Sequence, residues 1–197
     1  MRLAEHVEGH DRREHASVVR DARRMHPLMP GTGATGRPGL GSGDENWRRY
    51  DEAAQQLQGV IKIEPTFSFA HVYLGYAYLM KGMYKEAIAE YQTQLSLEGE
   101  TTSTLCYLGY ALAQSGKRSE AQATLDKLKT TKAYVSPAEL AVLYAGLGDK
   151  EGAIASLEKA YAAHDLQMQY LKVEPHYDSL RGEPRFQDLM RKVGLPQ

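Results

Sequence analysis

The segment Leu74-Gly75-Tyr76-Ala77 returns as Leu108-Gly109-Tyr110-Ala111, at an offset of 34 residues. The same offset carries Gly82 onto Gly116, Glu86 onto Glu120 and Ala87 onto Ala121. A fixed period of that length, with small residues at matching points, is the signature of stacked helix pairs. Each pair has outer faces that only a neighbouring pair can cover. Such an array works by holding something else, so the period constrains the class of function as well as the fold.

Composition narrows this further. A chain of 197 residues with 42% hydrophobic content holds one ordinary domain or one short array, and a net charge of -1 provides no field to draw in nucleic acid. Thirteen Tyr against three Phe and one Trp favour half-buried helix faces and contact surfaces, because tyrosine joins apolar ring area to a hydrogen-bonding tip. Cys106 is the sole cysteine, so there is no intrachain disulfide framework. No stretch approaches the roughly 18 consecutive apolar residues of a membrane span. The N-terminus lacks the apolar core of a secretory signal, and Glu5, Glu8, Asp11, Glu14 and Asp21 oppose a transit peptide. The expected location is the cytoplasm.

Three zones follow from the pattern. Residues 1–45 are charged and then rich in Gly and Pro from Pro27 to Gly43, too poor in apolar side chains to offset their ordering entropy. They are expected to be a disordered or weakly helical segment ending in a linker. Residues 46–164 read as helices over 51–63, 67–81, 84–97, 104–115, 119–130, 137–147 and 150–163, with Gly82, Gly116 and Gly148 between the members of each pair. Ser136 is the expected N-cap ahead of Pro137. Residues 165–197 leave the period. Within them, 184–193 predict a capping helix with Phe186, Leu189, Met190 and Val193 on one face.

Small residues at the crossings, with larger ones beside them, explain how such pairs nest. Gly75 and Gly109 sit on first helices, Ala87 and Ala121 on second helices, and Leu74, Tyr78, Leu108 and Leu112 fill the adjoining space. With Ala153 in a more degenerate fourth unit shifted by two residues, these positions resemble the tetratricopeptide repeat family. The resemblance covers about residues 47–163 as one half repeat and three repeats. It implies an all-α, right-handed α-solenoid and a non-catalytic protein-interaction scaffold without cofactors, binding a protein or peptide rather than nucleic acid or a membrane. The tail from Pro175 to Phe186 looks narrower. It resembles the end of repeat regions that follow bacterial winged-helix regulators, adenylate cyclases or kinases, and so implies, as the alternative, a regulatory or sensory module.

The family's inward-facing positions map to Phe69, Val72, Tyr76, Leu79 and Met80 in the second unit. In the third they map to Ser103, Cys106, Tyr110, Ala113 and Gln114, and in the fourth to Val135, Ala138, Val142 and Ala145. Family members that clamp the terminal carboxylate of chaperone tails use Lys and Asn there. This chain has Val72, Tyr76, Cys106 and Tyr110 instead, so that ligand class is not expected. An apolar, aromatic groove fits a hydrophobic helix or an extended peptide. The competing expectation is that the chain's own C-terminal tail covers the strip. The first unit lacks its first helix, so the apolar face of helix 51–63 is expected to need cover from residues 1–25 or from a second copy in a homodimer.

Other motifs carry little chemistry. Gly31-Thr32-Gly33-Ala34-Thr35-Gly36 matches the dinucleotide fingerprint in letters, but Arg37-Pro38-Gly39 cannot open the helix that would face a pyrophosphate. His6, His10, His15 and His26 fit no zinc-hydrolase spacing. Cys106 reads as a buried thiol, and Glu86, Glu90, Glu120 and Glu158 as a solvated face. No catalytic residues are expected, and no metal.

Overall fold

The computed structural model describes residues 43–172 and 174–194, and these are helical throughout apart from short connections. The elements are α1 (Gly43–Ile63), α2 (Ser68–Met80), α3 (Tyr84–Glu98), α4 (Thr102–Gln114), α5 (Arg118–Thr130), α6 (Pro137–Gly146), α7 (Lys150–Ala162) and α8 (Pro184–Lys192). Two 3-10 turns, Leu166–Tyr170 and Pro175–Leu180, lie between α7 and α8. The chain is an all-α solenoid of helix hairpins. The glycine-rich fingerprint, the four N-terminal histidines and the expected disorder of the segment ahead of residue 43 lie outside the described residues.

Helix ends follow side-chain chemistry. Ser136 accepts from the Glu139 amide at 3.3 Å with Pro137 at the first helical position, as the sequence suggests. Asp149 does the same for Gly152 at 2.9 Å. Thr101 caps α4 through the Thr104 amide, so this helix starts two residues earlier than the apolar spacing indicates. Helix α1 begins at Gly43 rather than Asp51.

The three hairpins turn in one way. Gly82, Gly116 and Gly148 have φ of 67°, 86° and 72°, and the next amide in each case returns to a carbonyl five residues back (Met83 to Tyr78, Lys117 to Leu112, Asp149 to Tyr144, all at 2.9 Å). This closure satisfies otherwise orphaned carbonyls and requires the left-handed region that glycine enters without a Cβ penalty.

Stacking runs α1 on α2, α2 on α3, α3 on α4, α4 on α5 and α6, and α6 on α7. The two repeated glycines do not make the same contact. A Cβ on Gly75 would stand 2.8 Å from the ring of Tyr91, on the second helix of its own hairpin. A Cβ on Gly109 would stand 2.5 Å from Leu143, on the first helix of the next hairpin. The register explains the difference. Leu143 occupies the position held one unit earlier by Ala111, and Tyr91 the position held one unit later by Leu125. Beside Gly75 the hairpin's own residue is large and its neighbour's small, whereas beside Gly109 both are leucine. The volume is conserved while its source moves, as close packing demands.

The stripe Ala54, Leu57 and Val60 of α1 is buried against Ala70, Leu74 and Ala77 of α2; the cover expected from residues 1–25 lies outside the described residues. The buried ring of His71 ties this junction. Its Nδ1 lies 2.6 Å from Glu90 on α3 and its Nε2 2.9 Å from the Pro65 carbonyl. At the other end, α8 buries Phe186 and Leu189, while Arg185 bonds both Glu151 and Glu158 on α7.

Two stability outcomes follow from these contacts. Gly75→Ala should cost about 1–3 kcal/mol by overpacking against the buried Tyr91 ring, whereas Gly116→Ala, with open space around it, should cost only the ~1–2 kcal/mol of the left-handed backbone. The Tyr91 hydroxyl is buried without a hydrogen-bond partner among the described residues. Tyr91→Phe should therefore leave the urea midpoint unchanged or raise it, since an unpaired buried hydroxyl costs about 1–3 kcal/mol. A clear fall in that midpoint would contradict this packing.

Candidate functional site

First helices α2, α4 and α6 line one side of the solenoid, and successive units place equivalent residues in columns. One column is Tyr76, Tyr110 and Val142. A second is Val72, Cys106 and Ala138. The chain's own tail lies along this strip. Tyr76 donates its hydroxyl to both oxygens of Glu174, at 3.2 and 3.3 Å. The imidazole of His176 sits edge-on to Tyr110, with centroids 4.4 Å apart and an interplanar angle of 87°. Tyr107 at 5.9 Å and Tyr76 at 6.0 Å complete a three-sided tyrosine box, and Tyr76 meets Tyr107 edge-to-face at 5.7 Å. Tyr177 reaches deeper and donates to the Ala138 carbonyl at 2.9 Å.

Of the inward positions named from the sequence, Tyr76, Leu79, Cys106 and Val142 are buried, as are Ala138 and Ala145. Buried under the tail and neighbouring helices, they are not a free contact surface in this conformation. Val72, Met80, Tyr110 and Ala113 are half-buried, and Gln114 is exposed, donating to the Gly146 carbonyl at 3.2 Å. Phe69 is the large apolar member of the strip that remains open, at 56% exposure, with its ring beside Phe67 and Tyr73.

Four participants escape a reading of the inward columns alone. Tyr107 belongs to a different helix face and forms a wall of the box. Gly146 is missed because its role is to be absent: a Cβ there would stand 2.7 Å from the Tyr110 ring and 3.1 Å from its Cα. The bare backbone of α6 thus lets Tyr110 settle between Gly146 and His176. Glu174 and His176 are the other two, polar residues at 6% and 3% exposure, hydrogen-bonded to one another. The sequence signal was available in a charged and an aromatic residue flanking Pro175, but nothing in it says which strip they enter.

Electrostatics keep the box neutral at its hydroxyls. Burial, and after it the Glu174 charge, hold Tyr76 and Tyr107 well above the usual tyrosine value, and Tyr177 likewise. Burial also pushes the Cys106 thiol up, with the Glu139 charge adding to it, so the thiolate needed for nucleophilic chemistry is disfavoured. Glu139 anchors the tail from α6. It accepts from Ser103 at 2.7 Å and from Gln167 at 3.0 Å. Desolvation raises its carboxyl above the ordinary value, more than those two hydrogen bonds lower it.

The sign of the Glu139 effect is testable. A carboxyl whose proton is held to higher pH in the folded state favours folding at acidic pH, and that contribution is lost as pH rises through its folded value. Glu139→Gln keeps an acceptor for Ser103 and Gln167 without the charge. Parent and variant should be equally stable well below 4.5, the ordinary value, and the variant should gain on the parent as pH is raised towards neutral. Denaturant midpoints at acidic and neutral pH measure this, and a variant that loses ground at neutral pH would reverse the assignment.

Comparison with known proteins agrees with this architecture at the level of the repeat. A family model described as tetratricopeptide repeat matches residues 138–163, the hairpin of α6 and α7. Among solved structures, the chain is similar to YrrB, described as a TPR protein with an unusual peptide-binding site. The identity is 16%, the match covers 76% of this chain and 78% of YrrB, and the TM-score is 0.43. No curated protein matches the chain in sequence. The tetratricopeptide repeat is a protein-interaction fold, and no helix among the described residues is long and apolar enough to cross a membrane.

Proposed function

We propose that this chain is a non-catalytic interaction scaffold whose concave strip, running from Phe69 through Tyr76 to Tyr110, receives a short peptide segment of a protein partner. The observation that carries the reading is that the strip already holds such a segment. Glu174, His176 and Tyr177 each meet their own feature of it, a tyrosine hydroxyl, a tyrosine box and a backbone carbonyl. A surface that grips one short segment, here a 3-10 turn from Pro175, through separate side-chain contacts has the chemistry to grip another. Phe69, uncovered at the α2 end, is where a partner would make first contact.

The test compares proteins that co-purify with the parent, identified by mass spectrometry and re-bound as purified components, against Phe69→Ala and the double variant Tyr76→Ala/Tyr110→Ala. Both variants should lose them, Phe69→Ala without loss of helical signal because its side chain is largely solvent-exposed. Unchanged recovery by a folded double variant would remove the strip from the function.

A further inference from the structure

Resting on the reading of the strip as a peptide receptor, we propose that residues 174–177 are an internal copy of its ligand. The strip then recognises a peptide bearing a carboxylate, an imidazole two residues later and a tyrosine next to it, and the tail leaves when that peptide enters.

The first support is the chemistry of what is buried. Elsewhere the tail covers the solenoid with apolar side chains, Leu171, Leu180 and Phe186, at 1%, 0% and 0% exposure. Over the tyrosines it inserts a carboxylate and an imidazole. Burying such groups is costly unless each is paired, and an apolar residue of similar volume would cover the strip at least as well. Polar groups at this depth give selectivity for one side-chain pattern over others, which a permanent cap does not need.

The match is also specific group by group. The carboxylate takes the Tyr76 hydroxyl. The flat imidazole fits the box of Tyr76, Tyr107 and Tyr110, whose ring faces attract the N–H edge of a heterocycle. The neighbouring tyrosine hydroxyl takes the Ala138 carbonyl. The tail itself fills the site incompletely, because the buried Nε2 of His176 has no hydrogen-bond partner among the described residues. That shortfall leaves room for a better-fitting competitor.

Release of the segment withdraws buried Tyr177 from Phe186 but leaves every α-helix whole. Between α7 and α8 the chain makes only two 3-10 turns, so lifting residues 174–177 breaks no α-helix. Meanwhile α8 stays tied to α7 by Arg185, which donates to Glu151 and Glu158, while Phe186 gives up its ring contact with Tyr177. A tethered segment competes at high effective concentration, so it lowers the apparent affinity of any free peptide until it is weakened.

The probe is a fluorescein-labelled synthetic peptide, Leu-Lys-Val-Glu-Pro-His-Tyr-Asp-Ser, copied from residues 171–179, titrated against the full chain. The control peptide carries Ala in place of its Glu and His. Glu174→Gln and His176→Ala should each bind the probe at least about tenfold more tightly than the parent. Neither should bind the control, and adding Tyr110→Ala to either should abolish the gain. Glu174→Gln preserves side-chain volume and carries the test should His176→Ala fail to fold. Folded variants that bind the probe no better than the parent, or no better than the control, overturn the proposal. If Phe69→Ala and Tyr76→Ala/Tyr110→Ala still lose partners while the probe titration stays flat, only the ligand pattern falls. If partner recovery is also unaffected, the strip falls with it.

Discussion

A helix hairpin of this length cannot bury both of its faces by itself, and every other feature of the chain depends on how that deficit is met. Neighbouring hairpins meet it by close approach, which is possible only where backbone is bare or nearly so. Gly75 and Gly109 provide the openings, and Tyr91 and Leu143 fill them from different directions. The exchange of Tyr91 with Ala111 in one unit for Leu125 with Leu143 in the next shows that the conserved quantity is volume at the crossing rather than a fixed side chain. Gly146 extends the same logic into the concave side, where the missing Cβ accommodates the ring of Tyr110.

That constraint sets up the concave strip. Because each unit repeats the same turn, equivalent residues align, and Tyr76, Tyr107 and Tyr110 all come to stand against the ring of His176. Tyrosine in such a column offers ring faces and hydroxyl donors at once. The tail supplies what those groups take, a carboxylate to the hydroxyl and an imidazole to the box, and Glu139 fastens its approach through Gln167. The strip therefore meets the tail through polar contacts even though its residue list reads as apolar.

Much of the helical framework was legible beforehand. Turn glycines, the Ser136–Pro137 start and the apolar spacing of 184–193 place helix ends within a residue or two for most elements, because these signals act over a few residues and depend on local backbone geometry. The reading was poorer where the deciding partner is distant. Helix α1 begins eight residues ahead of Asp51, where the apolar spacing starts it, and the residues packed on its stripe, Ala70, Leu74 and Ala77, lie on another element. Repeat spacing likewise marks the inward columns but not Tyr107 or Gly146, whose roles exist only once neighbouring helices are in place.

The period of small residues and the glycine-marked turns determined by themselves that this chain is a stack of helix pairs, since local sterics and periodicity act without reference to the rest of the molecule. What fills the hollow side was decided only in three dimensions. Residues near 75 and 110 meet residues 174 to 177 across a long stretch of chain, and no local preference encodes that meeting. It arises from the summed rotation of successive hairpins and from the complementary groups, a carboxylate and an imidazole against tyrosine hydroxyl and ring, that become neighbours only after stacking.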